Sequence, residues 1–208
     1  ETSGYASNWD GAFKLAESIY AALKYGNLAA WTFWTLSTSS GDEYALMRSE
    51  TPTKKYYTSK HYYRYIRPGA VRIEATSDNE LVFVVAFHHQ EKQTLTLVLL
   101  NANSSSQTLA LAGNSLPSFT RYVTTSSLDC ADQGTVGSSN IPLPGNSVTT
   151  LYGTNYSSSV TVQGSGRARL SVAKHNAVLR AEHFTLHGRR LHATQGNARP
   201  AHLVVQRR

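Results

Sequence analysis

The sequence of 208 residues is 40% hydrophobic and only 16% charged, and Ser, Thr, Gly and Asn crowd its middle, which is typical of a mainly β protein. Its net charge of +7 lies in the C-terminal part, because residues 1–159 hold 11 basic and 12 acidic residues whereas residues 160–208 hold 9 basic residues and one acid. The chain has a single cysteine, Cys130, which excludes an intrachain disulfide. No Cys or His spacing indicates a metal site, so we expect no cofactor. No apolar run approaches the roughly 20 residues of a membrane span, so we expect no transmembrane segment.

The first predicted element is an amphipathic helix. It follows residues 9–11 and ends at the glycine within residues 25–27, a common helix stop. Its apolar positions recur at three- and four-residue steps, at Phe13, Ala16, Ile19, Tyr20 and Leu23.

The next segment, residues 28–35, is apolar almost throughout and rich in aromatic side chains. This pattern predicts a short strand buried on both faces, as in a parallel sheet. After a polar loop at residues 37–50, a second helix is predicted to begin at Thr51-Pro52, because proline is tolerated at the first helical position. Pro68 ends that helix. Helix, strand, loop and helix together make one step of an α/β barrel or of a doubly wound sheet.

Beyond Pro68 the chain consists of strand-length runs divided by Asn, Ser, Gly and Pro. Six such runs at close spacing predict an antiparallel β-sandwich. They lie at residues 71–75, 81–87, 94–100, 108–111, 119–124 and 147–152. His88 and His89 follow the second run and point to opposite faces of a strand, so they cannot bind one metal together, and we interpret them as surface residues.

The C-terminal part begins with residues 154–166, which are rich in Ser and Gly and are predicted to form a linker. Strand candidates follow at residues 169–172, 177–186 and 202–206. They favour a small β module over disorder.

Three motifs occur in the order found at the end of glycoside hydrolase family 30. They are the Ala-Trp-Thr-Phe-Trp segment at residues 30–34, the junction with Arg-Pro-Gly within residues 65–73, and the closing Ser-Val-Thr-Thr-Leu strand at residues 147–151. The sequence resembles that family over residues 1–153. The resemblance implies a mainly β chain that holds a remnant of the last part of a (β/α)8 barrel, an antiparallel β-sandwich side domain and a small β tail module. The implied barrel part, sandwich, linker and basic tail are residues 1–69, 70–153, 154–166 and 167–208.

The resemblance also implies a catalytic residue. In the family the nucleophilic carboxylate is a Glu at the tip of the seventh barrel strand, and Glu1-Thr2-Ser3-Gly4 is similar to that motif; the alternative is that Glu1 is an arbitrary first residue. Retaining cleavage needs a second carboxyl group roughly 5 Å away as acid/base. In the family that group lies on the fourth strand, which this sequence does not contain. The chain is therefore expected to be the C-terminal piece of a longer protein and to be inactive by itself, an expectation that the missing initiator Met supports.

Residues 30–34 resemble the eighth barrel strand, whose C-terminal end faces the active site. Trp34 lies nearest that end and is the candidate for stacking on a sugar ring, with plain packing as the alternative. Trp31 is predicted to lie mainly in the core and to be a second substrate-binding candidate, and Tyr5 is a third. Glucuronoxylan-specific members carry an Arg shortly after this strand, and residues 36–41 contain none.

The leading hypothesis is a retaining β-glycosidase that hydrolyses a plant cell-wall polysaccharide in the manner of an endo-β-1,4-xylanase, with a β-linked polysaccharide as substrate and no specific nucleic acid partner. One alternative is another β-glycosidase of the same family, similar to a glucosylceramidase or a β-1,6-glycanase. A second is a non-catalytic carbohydrate-binding or cell-surface sandwich. A third is a protein that binds polyanions through its basic tail.

The tail bears on localisation. Residues 184–191 and 203–208 resemble the C-terminal β-domains that some gliding or fibre-degrading bacteria use for export and surface attachment. The resemblance implies a secreted or cell-surface protein whose tail contacts an export or surface-attachment machinery.

Overall fold

The computed structural model describes residues 2–40, 42–157 and 203–207. Its N-terminal part contains helix α1 (Trp9–Lys24) and helix α2 (Lys54–Tyr63). Helix α1 forms where it was predicted, and the side chain of Asn8 caps it by accepting a hydrogen bond from Gly11 N at 3.0 Å. Three two-residue strands lie between the helices and form one small sheet: β1 (Ser37–Thr38), β2 (Met47–Arg48) and β3 (Thr51–Pro52).

The C-terminal part is a sandwich of two sheets. The larger sheet has six antiparallel strands in the order β10-β9-β12-β7-β6-β4. Its strands are β4 (Val71–Ile73), β6 (Val82–His89), β7 (Thr94–Asn101), β9 (Phe119–Thr124), β10 (Ala131–Val136) and β12 (Ser147–Gly153). The six predicted runs all form strands: four lie in this sheet, one lies in the second sheet, and the run at residues 71–75 divides between the two sheets.

The second sheet has the order β11-β8-β13-β5. Strand β13 comes from the C-terminal end of the chain and lies between β5 and β8, parallel to the first and antiparallel to the second. Its presence confirms a strand close to the predicted residues 202–206. The strands are β5 (Ala75–Ser77), β8 (Gln107–Ala112), β11 (Ile141–Leu143) and β13 (Leu203–Arg207).

Strand β7 explains why the sandwich sequence is so continuously apolar. Every residue from Thr94 to Asn101 is buried, because one face of the large sheet packs on the second sheet and the other packs on the helices. Leu97 belongs to the core between the sheets, and Val98 belongs to the core shared with α1 and α2. Each fully buried side chain of this size stabilises the fold by about 1.5–3 kcal/mol.

The aromatic segment does not form the predicted doubly buried strand. Phe33 is buried and pairs with Thr2 in a single parallel bridge, whereas Leu28 and Trp34 are 49% and 61% exposed. A strand is buried on both faces only where neighbouring strands and covering helices surround it. Among the described residues, Phe33 pairs with Thr2 alone, so the segment lacks the neighbouring strands that would bury both of its faces.

The start of the second helix was also predicted wrongly. Helix α2 begins at Lys54, because Thr51 and Pro52 form strand β3 in register with Arg48 and Met47. The loop thus folds back on itself before the helix begins.

The interpretation of His88 and His89 as surface residues is wrong. His88 packs edge-on against Tyr156 with 5.2 Å between ring centroids, and His89 Nε2 donates to Pro68 O at 2.9 Å. Their side chains point to opposite faces as expected, but both faces of the sheet are covered at this position. Tyr156, inside the predicted linker, is itself buried in the core between the sheets.

Candidate functional site

The N-terminal segment and the aromatic segment lie side by side and run in the same direction. Thr2 N donates to Thr32 O at 3.0 Å, and Trp34 N donates to Thr2 O at 2.9 Å. Thr2 thus bonds to the residues before and after Phe33, which is the hydrogen-bond pattern of two parallel strands. The tip of the aromatic segment is therefore next to the residue that follows Glu1. Glu1 itself lies outside the described residues, and its catalytic role stays a prediction.

The three aromatic candidates differ in exposure. Trp34 is 61% exposed, and the peptide bond that follows it is cis. Trp31 is partly buried against the core of α1 and α2, as predicted, and its indole Nε1 is buried without a hydrogen-bond partner. Tyr5 is half-buried, accepts a hydrogen bond from Thr2 Oγ1 at 3.4 Å and lies 6.3 Å from the Phe33 ring. Trp34 is thus the candidate with an open ring face.

A cleft of about 250 Å³ lies beside the aromatic segment. Its walls are mainly apolar and are formed by Trp31, Thr32, Phe33, Leu36, Leu46 and Tyr63. Trp31 therefore contacts both the core and this cleft.

A buried lysine connects the two segments to α2. Lys55 is fully buried, and its Nζ donates to Tyr5 O at 3.0 Å and to Asp42 O at 2.7 Å. The same Nζ lies 5.8 Å from the centroid of the Phe33 ring. Burial lowers the pKa of Lys55, and the negative charges of Asp42 and Glu43 oppose that shift.

Two carboxyl groups of the N-terminal part have shifted pKa values. A hydrogen bond from Ser40 holds the pKa of the partly exposed Asp42 below its usual value, and Tyr44 N donates to the same side chain at 3.0 Å. Burial raises the pKa of Glu17, which lies within α1 rather than at the tip of a strand. A general acid needs a raised pKa near the scissile bond. Neither group meets both conditions.

Three further features concern metal ligands, membrane-spanning helices and Arg48. No cluster of three or more potential metal ligands occurs among the residues whose structure is described. Within the same residues, no helix is both long enough and apolar enough to cross a membrane. Arg48 is exposed, as predicted.

The parallel pair, its two helices and the attached antiparallel sandwich define a class of protein in which part of an α/β barrel is joined to a β-sandwich. Residues 69–151 match the model of the glycosyl hydrolase family 30 beta sandwich domain. These residues carry the β-sandwich domain of glycoside hydrolase family 30. The predicted resemblance to that family and the predicted mainly β fold class are both confirmed.

Similar proteins share this architecture. The chain is 29% identical over 151 residues to Glucuronoxylanase XynC of Bacillus subtilis, a match that covers 70% of this chain and 35% of the relative. A family 30 endoxylanase from Clostridium papyrosolvens has a TM-score of 0.62 at 22% identity, over 74% of this chain and 40% of that structure. A family 30 subfamily 8 xylanase from Clostridium acetobutylicum has a TM-score of 0.61 at 22% identity, over 72% and 41%. The chain thus spans well under half the length of each.

Lys55 was not recognised from the sequence, although a signal was present. The buried positions of α2 include Lys55, Thr58, Ser59 and Tyr62, which follow the three- and four-residue spacing of one helix face. That spacing places Lys55 on the same buried face as Tyr62, whose hydroxyl group donates to Ala16 O at 2.9 Å.

Proposed function

We propose that this chain forms the last part of the catalytic barrel and the side domain of a retaining β-glycosidase that cleaves xylan. The observation that carries the proposal is the parallel pairing of Thr2 with Phe33. It sets the residue after Glu1 beside an exposed tryptophan, at the end of two segments that run in the same direction. The names of the relatives, a glucuronoxylanase and two xylanases, agree with this substrate class.

In the proposed mechanism, the Glu1 carboxylate attacks the anomeric carbon of the sugar bound next to Trp34. The bond to the leaving oxygen breaks as a second carboxyl group, supplied by a part of the barrel outside this chain, donates its proton. Water then attacks the anomeric carbon while it gives a proton to that group, and the bond to the Glu1 carboxylate breaks. Trp34 stacks on the apolar face of a sugar ring, and Tyr5 and Trp31 line the approach.

We propose unsubstituted β-1,4-linked xylan as the preferred substrate. Residues 36–41 hold no arginine that could pair with a uronate, and Arg48 is exposed on a separate strand. Another β-linked glycan remains the alternative.

Since a polymer of this size does not enter cells, we also propose that the enzyme is secreted or attached to the cell surface. Residues 184–191, on which the proposed tail contact with an export machinery rests, lie outside the described residues.

A chimera tests the proposed activity. Residues 1–208 replace the matching C-terminal part of Glucuronoxylanase XynC, which supplies the remaining barrel strands, so that Tyr156 and strand β13 stay in the sandwich. We expect the chimera to hydrolyse xylan, and we expect Glu1→Gln to lower kcat by about 10³-fold or more, as removal of a nucleophile does. Glu43→Gln, which changes an exposed carboxyl group of the adjacent loop, is the matched control and leaves kcat unchanged.

The 208-residue chain is assayed in parallel and is expected to show no turnover. Turnover by this chain alone, or full activity of the Glu1→Gln chimera, would contradict the assignment of Glu1. Binding of insoluble xylan by residues 70–208, which include Tyr156 and strand β13, together with an inactive but folded chimera would favour a non-catalytic sandwich instead.

A further inference from the structure

We propose that Lys55 is a positioning residue of the site: its ammonium group holds the segment that follows Glu1 and the loop that follows Trp34 in one arrangement. The inference rests on the proposed function, because it concerns how the nucleophile and the stacking tryptophan are kept together. Lys55 acts through these segments and does not touch the substrate.

The burial of Lys55 is the first reason. Lysine is almost never fully buried unless its charge is paired, because removing an ammonium group from water is energetically unfavourable. Lys55 is 0% exposed, and it has no carboxylate within ion-pair distance among the residues that the structure describes. A position that served packing alone would be filled at lower cost by an apolar side chain of similar length.

The bonding partners of Lys55 are the second reason. Tyr5 and Asp42 lie in two different connecting segments, and neither belongs to a helix or strand. Backbone carbonyls in such segments have no regular ladder to hold them. Lys55 Nζ bonds to both, and Gly4 N donates to Glu43 O at 3.2 Å beside them. One side chain from the first turn of α2 thus joins both segments to the helix.

The consequence concerns geometry at the reacting centre. A displacement of a catalytic group by about 1 Å can lower a rate about 10²-fold. The segment held at Tyr5 begins directly after Glu1, and the loop held at Asp42 begins directly after Trp34. Loss of the Lys55 bonds is therefore expected to lower kcat more than it raises KM.

The first test uses hydrogen exchange in the 208-residue chain and needs no activity. In Lys55→Met, the amides of Gly4 and Leu46, which bond to Glu43 O and Thr35 O, are expected to exchange at least about tenfold faster. Lys54→Met is the matched control, because Lys54 bonds to Leu128 O and Asp129 instead. Equal exchange of both amides in the two variants would overturn the proposal.

The second test uses the active chimera. Lys55→Met is expected to lower kcat by about 10-fold to 100-fold and to change KM by less than about threefold. Lys55→Gln keeps a hydrogen-bond donor on a shorter side chain, so its kcat is expected to fall less than that of Lys55→Met. It replaces Lys55→Met in this test if Lys55→Met does not fold. An unchanged kcat would overturn the proposal. If the chimera with Lys55 intact is inactive, the proposed function fails, while the exchange experiment still decides the role of Lys55.

Discussion

At the scale of single residues, Trp34 and Leu36 form a matched pair, because each is 61% exposed and they are only two positions apart in the chain. Stacking on an aromatic face contributes about 0.5–1.5 kcal/mol, so Trp34→Ala is expected to raise KM of the chimera for xylo-oligosaccharides about 3-fold to 10-fold. Leu36→Ala should leave KM unchanged. Initial rates over a range of oligosaccharide concentrations measure both values, and an equal effect of the two substitutions would show that Trp34 does not stack on the sugar.

His61 couples the stability of the chain to pH. It is fully buried between α2 and the large sheet, its Nδ1 and Nε2 lie 2.8 Å and 2.7 Å from the hydroxyl oxygens of Thr150 and Thr124, and burial lowers its pKa from 6.5 to about 3. The folded state therefore keeps the ring neutral at pH values where the unfolded chain binds a proton.

The sign of the pH effect follows directly. The contribution of His61 to stability is complete above about pH 6.5 and declines as the pH falls toward 3, by at most about 1.4 kcal/mol per pH unit. Urea unfolding of the chain and of His61→Gln between pH 4 and 7 measures the two slopes. Gln cannot titrate, so the variant is expected to have the smaller slope. Equal slopes would contradict the prediction.

At the scale of elements, Gly153 shows how closely strand β12 approaches its surroundings. A Cβ atom at this position would lie 2.4 Å from Pro117 Cγ and 3.1 Å from two ring carbons of Phe119. Neither ring can move away easily, so we expect Gly153→Ala to lower the free energy of unfolding by about 1–3 kcal/mol. Gly137→Ala is the control, since its Cβ would meet no atom within 4 Å. If urea denaturation gives the same midpoint for Gly153→Ala and Gly137→Ala, the predicted loss of stability in Gly153→Ala is wrong.

At the scale of the whole molecule, strand β13 closes the second sheet between β5 and β8. Leu111 N donates to Ser138 O, on the side of β8 that faces away from β13. Backbone amides point to alternate sides along a strand, so the amides of Ala110 and Ala112 point toward β13. Replacing residues 203–207 with Gly and Ser is expected to speed exchange of these two amides at least about tenfold. Leu111 should stay protected. Unchanged exchange at Ala110 and Ala112 would show that β13 does not pair there in solution.

Sequence alone was enough to predict the six main sandwich strands, helix α1 and the resemblance to family 30. Each depends on a local pattern: alternation or continuous apolarity within a run, helical spacing from Phe13 to Leu23, or the Arg-Pro-Gly junction before Val71. Such patterns need no knowledge of distant neighbours. The candidate tryptophans were found for the same reason.

The folded chain was needed to show how these parts pack together. Residues 28–35 have the composition of a buried strand, but burial depends on neighbours, and Trp34 is exposed because it has too few of them. His88 and His89 are buried because helices and a second sheet cover both faces of β6. Lys55 bonds to segments 50 and 13 residues away in the chain. Contacts between segments far apart in sequence are set by the packing of the whole chain, which no local pattern contains.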